Sequence, residues 1–430
     1  MFNTSPLHDI SMKTQTRRPL GGFERFFWLF DQQRPVHFTM VAEITGTLPV
    51  TAWENALAAV QQLHPLLSVS INLNENNAPE FVTQPGATIP LRIVKATSKT
   101  AWVADLEHEA INRFHAASAP LIRAVLYEYQ NKSVIALIAH HSIADGRSLS
   151  FVIRDLLNAT NGKYAEPYAM PPSLDDYTDL PKNALSQFPA SDTDIALHSQ
   201  QPQTVKTTPQ IQLLQLSPEL SSQVIKRSKQ EGTTVHGALS AALALASKAW
   251  KPQPIRLFSP SSARETLGAG ETVCLSIGGG RVIPFDTEKI SAFWDIARYA
   301  KESLAGVSSE EEILGFARAV FGHITSGLNG EGTAQFADTA LANEYMITNV
   351  GALPFESTFG KLKLDAVWGP ITITGYEGSQ TVGITTINGS INIALTSPSY
   401  MQVKPVLEFM KQILSMECIP LNSLSHEQSW

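Results

Sequence analysis

The sequence contains only two cysteines, Cys274 and Cys418, among 430 residues. They lie far apart, and neither has a cysteine or histidine neighbour at the spacing of a zinc site. This scarcity excludes a disulfide framework and predicts that the protein binds no metal. A reducing, cytoplasmic environment is therefore the expected location.

Long hydrophobic runs and an excess of positive charge are also missing. No segment reaches about 18 continuous apolar residues, so no membrane-spanning helix is predicted. The first residues also lack the apolar stretch of a secretory signal. The net charge of −7 argues against a nucleic-acid partner, because nucleic acids select basic surfaces.

The chain does have ample material for a hydrophobic core. Apolar residues make up 43% of the sequence and charged residues 17%, which is typical of a globular protein. A chain of 430 residues exceeds the usual size of one domain. Two domains of about 200 residues each are therefore expected.

Hydrophobic periodicity predicts helices and strands in both halves of the chain. In the first half, residues 51–64 have the apolar spacing of a helix, and residues 121–129 and 133–141 have the composition of two strands. A further helix is predicted to end near Asn158. In the second half, a strand at 211–216 is followed by helices and further strands. Both halves are therefore predicted to be α+β.

A long segment of different composition separates the two halves. Residues 161–209 are polar and rich in proline, and they show no hydrophobic periodicity. We therefore predict an N-terminal lobe over residues 1–160, an inter-domain linker over 161–209 and a C-terminal lobe over 210–430.

The segment VIALIAHHSIADG, residues 134–146, places two adjacent histidines at the end of an apolar strand. Neighbouring side chains of a strand point to opposite faces, so only one of His140 and His141 can enter a given site. One exposed imidazole nitrogen is sufficient for general-base catalysis near neutral pH. Gly146, after Asp145, permits a backbone conformation or a close approach that a Cβ would forbid. The alternative is that both histidines are hydrogen-bonded core residues.

The motif HHSIADG resembles the HHxxxDG motif of the condensation-domain superfamily. This superfamily groups nonribosomal peptide condensation domains with stand-alone acyltransferases such as the phthiocerol dimycocerosyl transferases. Chloramphenicol acetyltransferase has the shorter form HxxxDG. The resemblance covers nearly the whole chain, because the segments GGFERFFWLFDQQRP, ALAAVQQLHPLLSVSI, SPSSARETLG and ITNVGALPF follow in the family's order.

The resemblance implies a fold and a role for several residues. The fold would be two chloramphenicol-acetyltransferase-like lobes in a V, with an active-site tunnel between them. His141 would be the catalytic base and His140 its structural partner. Asp145 would pair with Arg264 of the other lobe, whose fork can bind a carboxylate through two hydrogen bonds; the alternative is an exposed surface arginine. Asn349 would contact the oxyanion or the substrate, with a turn-forming asparagine as the alternative.

The activity implied is the transfer of an acyl group from a thioester to a hydroxyl or an amine, in secondary-metabolite or lipid biosynthesis. No tightly bound cofactor is expected, since the thioester of coenzyme A or of a phosphopantetheine arm would be a co-substrate. The partners would be a small-molecule acceptor and an acyl or peptidyl carrier protein. Two alternatives stay open. One is an amide-forming condensation protein of the nonribosomal peptide type, and the other is a non-catalytic recruiting module of the same fold.

Overall fold

The computed structural model describes residues 15–201, 208–372, 378–398, 401 and 405–419. Up to residue 160 the elements are, in order, β1 (Arg17–Pro19), α1 (Gly22–Asp31), β2 (Phe38–Thr45), α2 (Val50–Leu63), β3 (Val69–Leu73), β4 (Pro79–Thr83), β5 (Leu91–Lys95), α3 (Ala101–Glu109), β6 (Ile122–Tyr129), β7 (Lys132–Ala139) and α4 (Gly146–Thr160).

The later elements begin with a short helix inside the predicted linker. They are, in order, α5 (Asp192–His198), β8 (Pro209–Gln215), α6 (Pro218–Gln230), α7 (Val235–Ser247), β9 (Ile255–Ser262), β10 (Ile277–Phe285), α8 (Phe293–Ser303), α9 (Glu310–Thr325), α10 (Gly330–Ala340), β11 (Tyr345–Ala352), β12 (Thr358–Phe359), β13 (Leu362–Thr372), β14 (Gln380–Ile387), β15 (Ser390–Pro398) and α11 (Val406–Cys418).

Two large sheets organise the described residues. One has six strands in the order β12-β13-β2-β7-β6-β5, and the other has six in the order β10-β9-β11-β14-β15-β8. A small third sheet has the order β1-β4-β3. Each large sheet has its own cluster of buried apolar side chains, which packs the sheet against helices. The α+β prediction is confirmed.

One strand of the first sheet, β13, comes from the second half of the chain and is called the exchanged strand. β13 pairs antiparallel with β2, with Lys363 opposite Thr45 and Thr372 opposite Phe38. The sheets therefore divide the chain at positions other than the predicted lobe boundaries, since residues 358–372 complete the sheet of the first half. The predicted lobe boundaries follow chain order and stay a prediction.

The predicted linker, residues 161–209, packs on the first half along the part that the structure describes. Arg25 of α1 donates hydrogen bonds to the carbonyl oxygens of Phe188 (2.6 Å) and Pro189 (2.8 Å). Asp175 accepts a hydrogen bond from the backbone N–H of Gly22 (2.6 Å), at the first residue of α1. This segment therefore helps to fix α1, which forms one wall of the site described below.

The strand that precedes the histidine motif is central and buried. β7 lies between β2 and β6, and all its residues except the first are buried. A strand covered on both faces has a continuous apolar sequence, which explains the run before the histidines. β7 ends at Ala139, so His140 and His141 lie just beyond the strand. Asp145 then begins α4 as its N-cap, accepting a hydrogen bond from Ser148 N at 2.7 Å.

Candidate active site

A cavity of about 410 Å³ is lined by residues from both halves of the chain. The first half contributes α1, β2 and the turn after β7, and the second half contributes β9, β10, α9, α10 and β11. His141, Asp145, Gly146 and Asn349 all line this cavity. Its volume falls in the range of about 300–1,000 Å³ that is typical of small-molecule sites.

The His141 ring lies between two phenylalanines. It stacks on Phe27 with the ring centroids 4.4 Å apart and the planes 8° from parallel, and its centroid is 4.6 Å from that of Phe38. Its Nδ1 is 2.9 Å from the carbonyl oxygen of Ala144. A carbonyl oxygen can only accept, so this hydrogen bond places the proton on Nδ1 and leaves Nε2 as the acceptor nitrogen.

The surroundings of His141 keep its ring neutral. Burial lowers the pKa of His141 to about 4, although the nearby Asp145 carboxylate and the Ala144 carbonyl act in the opposite direction. The ring is therefore unprotonated at Nε2 at neutral pH, which is the state that a general base requires.

His140 has no exposed surface and makes contacts of a different kind. Its Nδ1 accepts the backbone N–H of Ser142 at 3.1 Å and lies 2.7 Å from the Ser142 hydroxyl. Its Nε2 is 3.7 Å from Asp31 at the end of α1, which is longer than a hydrogen bond. Burial acts to raise the pKa of Asp31, but His140 and Arg113 together hold it below its usual value. These contacts tie the turn after β7 to α1.

Asp145 is buried and has a partner at each carboxylate oxygen. One oxygen accepts the Ser148 N–H at 2.7 Å and the other accepts the Ser276 N–H at 3.0 Å. The Ser148 hydroxyl donates to the Cys274 carbonyl at 2.7 Å and accepts the Cys274 N–H at 3.1 Å. The segment 270–276 of the second half is thus bound to the start of α4.

The structure brings Arg264 to this junction, where it is 5% exposed. Nη2 lies 3.4 Å from both oxygens of Asp145 and donates to the Ser148 hydroxyl at 2.8 Å. Nη1 donates to the carbonyl oxygens of Gly270 and Thr272, both at 2.9 Å. The expected pair is present, but the two-bond fork is not formed, because one nitrogen reaches both oxygens and the other binds carbonyls. The alternative of an exposed arginine is wrong.

Gly146 is required for a close approach and not for an unusual backbone angle. A Cβ at this position would lie 2.4 Å from Cγ of Pro370 and 3.3 Å from a methyl group of Val350. Pro370 belongs to β13, so the missing side chain lets the exchanged strand pack against the start of α4.

Asn349 lies on β11 where its pairing with β14 is irregular. Its Oδ1 accepts the backbone N–H of Gly351 at 2.9 Å, so the turn-forming contact is present. Asn349 also lines the cavity, and only its Nδ2 could donate to an oxyanion. That role stays a prediction.

Two features of the site and its surroundings were not predicted from the sequence. One is the aromatic face of α1, where Phe23, Phe26, Phe27 and Phe30 all line the cavity. Their spacing of i, i+3, i+4 and i+7 is visible in the sequence and places them on one helical face. The other is His64, whose Nε2 donates to Asp155 at 3.1 Å while its Nδ1 accepts the Val273 N–H at 3.3 Å. This second contact links distant parts of the chain and has no local signal.

Cys274 is part of the junction but is not a reactive thiol. Burial raises the pKa of Cys274 to about 12, so it stays protonated. Within the described ranges, no group of three or more His, Cys, Asp or Glu side chains is placed to hold a metal ion. In the same part of the chain, every helix is too short or too polar to cross a membrane.

Comparison with known proteins identifies relatives of this chain. The family model described as Condensation domain matches residues 26–273. Chondramide synthase from Chondromyces crocatus is 25% identical over 40% of this chain, and a hybrid PKS-NRPS synthetase from Xenoacremonium sinensis is 27% identical over 36%. The chain spans only 5% of the length of the first relative and 4% of the length of the second.

Solved structures resemble the fold over almost its full extent. Trichothecene 15-O-acetyltransferase from Fusarium sporotrichioides matches with a TM-score of 0.68 and 11% identity, covering 94% of this chain and 96% of that one. The first condensation domain of the calcium-dependent antibiotic synthetase matches with a TM-score of 0.66 and 15% identity, covering 95% and 99%. These matches confirm the predicted two-lobed fold. Since the family model matches more than half of its residues, the chain belongs to the condensation-domain family.

Proposed function

We propose that the protein is an acyltransferase that moves an acyl group from a thioester to a hydroxyl or an amine, with His141 as general base. The observation that carries the proposal is the hydrogen bond between Nδ1 of His141 and the carbonyl oxygen of Ala144. Nδ1 donates to the Ala144 carbonyl, which leaves Nε2 as the acceptor nitrogen on the wall of a cavity shared by both halves of the chain.

The proposed reaction proceeds in two steps without an acyl-enzyme. Nε2 of His141 takes the proton of the acceptor O–H or N–H while the acceptor atom bonds to the thioester carbon, giving a tetrahedral oxyanion. The oxyanion then collapses, the C–S bond breaks, and the His141 imidazolium returns the proton to the departing thiolate. A thiolate is a stronger base than imidazole, since an ordinary thiol has a pKa of about 8.5 and an ordinary histidine one of about 6.5, so this second transfer is favourable. Nδ2 of Asn349 is the proposed donor to the oxyanion.

The junction around Asp145 and Arg264 would position the base and not react. Asp145 caps α4 directly after the turn that contains His141. Its second oxygen and Arg264 connect this turn to the segment 270–276. Loss of either side chain would therefore change the placement of His141 relative to the opposite wall.

Amide formation on a carrier protein is a second candidate. The observation that favours it is the set of relatives by sequence, which includes a protein named nonribosomal peptide synthetase and another named cyclosporin synthetase. The likeness to a trichothecene 15-O-acetyltransferase, in contrast, favours ester formation. In both cases the donor would be a thioester of coenzyme A or of a carrier-bound phosphopantetheine. A cytoplasmic location also stays a prediction, from the low cysteine count.

Release of free thiol tests the proposal. The purified protein is incubated with acyl-CoA and acyl-carrier thioesters, with and without alcohols and amines, and products are identified by mass spectrometry. Thiol release that requires both an acceptor and His141 would support transfer, and the nature of the product separates ester from amide. No turnover across donors and acceptors, with thioesters still bound, would instead indicate the non-catalytic recruiting module.

A further inference from the structure

The wall of the cavity beside His141 is unusually rich in phenylalanine. Eight phenylalanines line it, contributed by α1, β2, β9, α9 and α10: Phe23, Phe26, Phe27, Phe30, Phe38, Phe258, Phe316 and Phe336. The Phe23 ring meets Phe316 of α9 edge-on, with centroids 4.9 Å apart. Helices from distant parts of the chain thus bring phenylalanine rings into contact at this cavity.

The charged side chains of the lining already have partners. Asp145 accepts two backbone N–H groups and lies beside Arg264. Arg147 donates to the Val350 carbonyl at 3.2 Å and lies 3.8 Å from Glu265, with about a third of its side chain exposed to solvent. An anionic group brought against the aromatic wall would therefore lose water without gaining a partner there.

The histidine on the aromatic side is neutral as well. Burial lowers the pKa of His323, whose Nε2 is 3.3 Å from the Thr333 hydroxyl. Its ring lies 4.4 Å from that of Phe336. The hydroxyl and amide side chains of the lining come mainly from β9, the segment before β10, and β11: Ser261, Ser262, Ser276, Thr348 and Asn349.

We propose that this cavity takes a substrate with a neutral hydrocarbon body, an aromatic ring or an alkyl chain of medium length, packed on the phenylalanine wall. The proposal rests on the proposed function, because it names the substrate class of that site. The hydrocarbon body belongs either to the acyl group of the thioester or to the acceptor. Both sources present the same chemistry to the aromatic wall.

Binding measurements test the proposal independently of turnover. Isothermal titration calorimetry is carried out on the full-length protein with N-acetylcysteamine thioesters of acetyl, butyryl, hexanoyl, octanoyl and benzoyl groups. A second arm uses ethanol, hexanol and 2-phenylethanol with the matching amines. The charged counterparts are the adipoyl thioester, which matches hexanoyl, and 6-hydroxyhexanoate, which matches hexanol.

The expected result is that affinity rises about four-fold per added methylene in one arm until the cavity is filled. The charged counterpart in that arm should bind at least ten-fold more weakly. A chain-length effect in the thioester arm identifies the acyl group as the occupant, and one in the alcohol and amine arm identifies the acceptor. Equal affinity for short and long chains in both arms, or for charged and neutral members of a pair, would overturn the proposal.

A matched pair of variants locates the effect on the aromatic wall. Phe336→Ser removes a lining ring that is 48% exposed, and Phe409→Ser removes a ring of α11 that is 41% exposed and does not line the cavity. The first change should weaken binding of the preferred hydrocarbon several-fold, while the second should leave it unchanged. Equal effects of both changes would place the binding elsewhere. Hydrocarbon binding that follows these trends without any acyl transfer would refute the proposed function and leave the cavity assignment standing.

Discussion

The protonation state of His141 is determined by the groups that contact its ring. The Ala144 carbonyl fixes the proton on Nδ1, and the stacked ring of Phe27 removes water from one face of the imidazole. His140, one residue earlier, is instead bound through Nδ1 to Ser142 and is fully buried. Adjacent histidines therefore have different environments, although their chemistry is the same.

Replacement of His141 tests whether its free nitrogen is the base. We expect His141→Ala to reduce kcat/KM for acyl transfer by about 10²–10⁴-fold, since that is the usual contribution of a general base. Cooperative thermal unfolding should persist in circular dichroism. His108→Ala is the control, because His108 is exposed on α3 and does not line the cavity. Unchanged transfer in His141→Ala would exclude this residue as the base.

The low pKa of His141 predicts an unusual acid limit for activity. The base must be unprotonated, so kcat/KM should stay constant as the pH falls from 7 and should decrease only near pH 4, about ten-fold per pH unit below that. An unperturbed histidine would give a limit near pH 6.5. Initial rates after brief pH jumps measure the profile, with circular dichroism to verify folding at each pH. A decrease centred near pH 6.5 would contradict the effect of burial on this ring.

At the scale of elements, α4 must approach β13 closely, and Gly146 makes this approach possible. We expect Gly146→Ala to lower the free energy of unfolding by about 1–3 kcal/mol, because its Cβ would lie 2.4 Å from Pro370. Gly315→Ala in α9 is the matched control. No atom lies within 4 Å of the added methyl group, and alanine should stabilise a helix interior by about 0.5–1 kcal/mol.

Urea denaturation of the two glycine variants tests whether close packing or helix propensity determines the change in the free energy of unfolding. If both substitutions stabilise the protein to a similar extent, the start of α4 tolerates a side chain, and the packing argument for Gly146 is wrong.

The start of α1 is held by a carboxylate with a raised pKa. Burial raises the pKa of Asp175 to about 6, against the hydrogen bond from Gly22, and Glu24 adds to the increase. The folded protein therefore binds this proton more tightly than the unfolded chain, so the contribution of Asp175 to the free energy of unfolding should decrease as the pH rises from about 4 to 6. Asp175→Asn keeps an acceptor oxygen without the charge. It should remove this slope and stabilise the protein at pH 7 by about 1 kcal/mol.

Chemical denaturation at pH 4, 5, 6 and 7 measures the Asp175 effect. Asp179→Asn is the control, since Asp179 is exposed and its ion pair with Arg318 should contribute little. Lower stability of Asp175→Asn at pH 7 would show that the charge is favourable where it lies.

At the scale of the whole molecule, the two halves are joined by an exchanged strand and a buried polar junction. β13 completes the sheet of the first half, and the segment 270–276 binds the start of α4. His64 adds a further contact through the Val273 N–H. The cavity therefore lies between halves that are connected at several points, so the position of each wall depends on these contacts.

A double-mutant cycle measures the coupling across this junction. Asp145→Asn and Arg264→Gln should each destabilise the protein by about 3–5 kcal/mol, since each leaves a buried charge with a neutral neighbour. The double variant should lose less than the sum by at least about 0.5 kcal/mol. Arg264→Gln should be the more severe single change, because it also removes donors to the Gly270 and Thr272 carbonyls. Strictly additive losses in urea denaturation would show that the 3.4 Å contact contributes nothing.

The sequence by itself determined most of the elements and the family. Periodicity predicted a helix at residues 51–64, which is α2 in the structure, and a helix after the histidines, which is α4, because the side chains that a helix buries recur on one face. The HHxxxDG pattern identified the family, because its spacing is local. In contrast, no local pattern indicated how the strand β10 packs. Its Gly280 packs against Phe258, a neighbour that only the sheet brings close.

Only the tertiary structure decided how the site is assembled. The exchange of β13 depends on pairing between residues more than 300 positions apart, for which periodicity carries no signal. Arg264 donates to backbone carbonyl oxygens, which every residue possesses. A pattern of side chains in the sequence therefore could not predict these contacts in place of the expected two-bond fork. The low pKa of His141 likewise results from its burial among the rings packed around it. Local spacing in the sequence determines which side chains the site can contain, whereas burial and long-range contacts determine their protonation states and orientations.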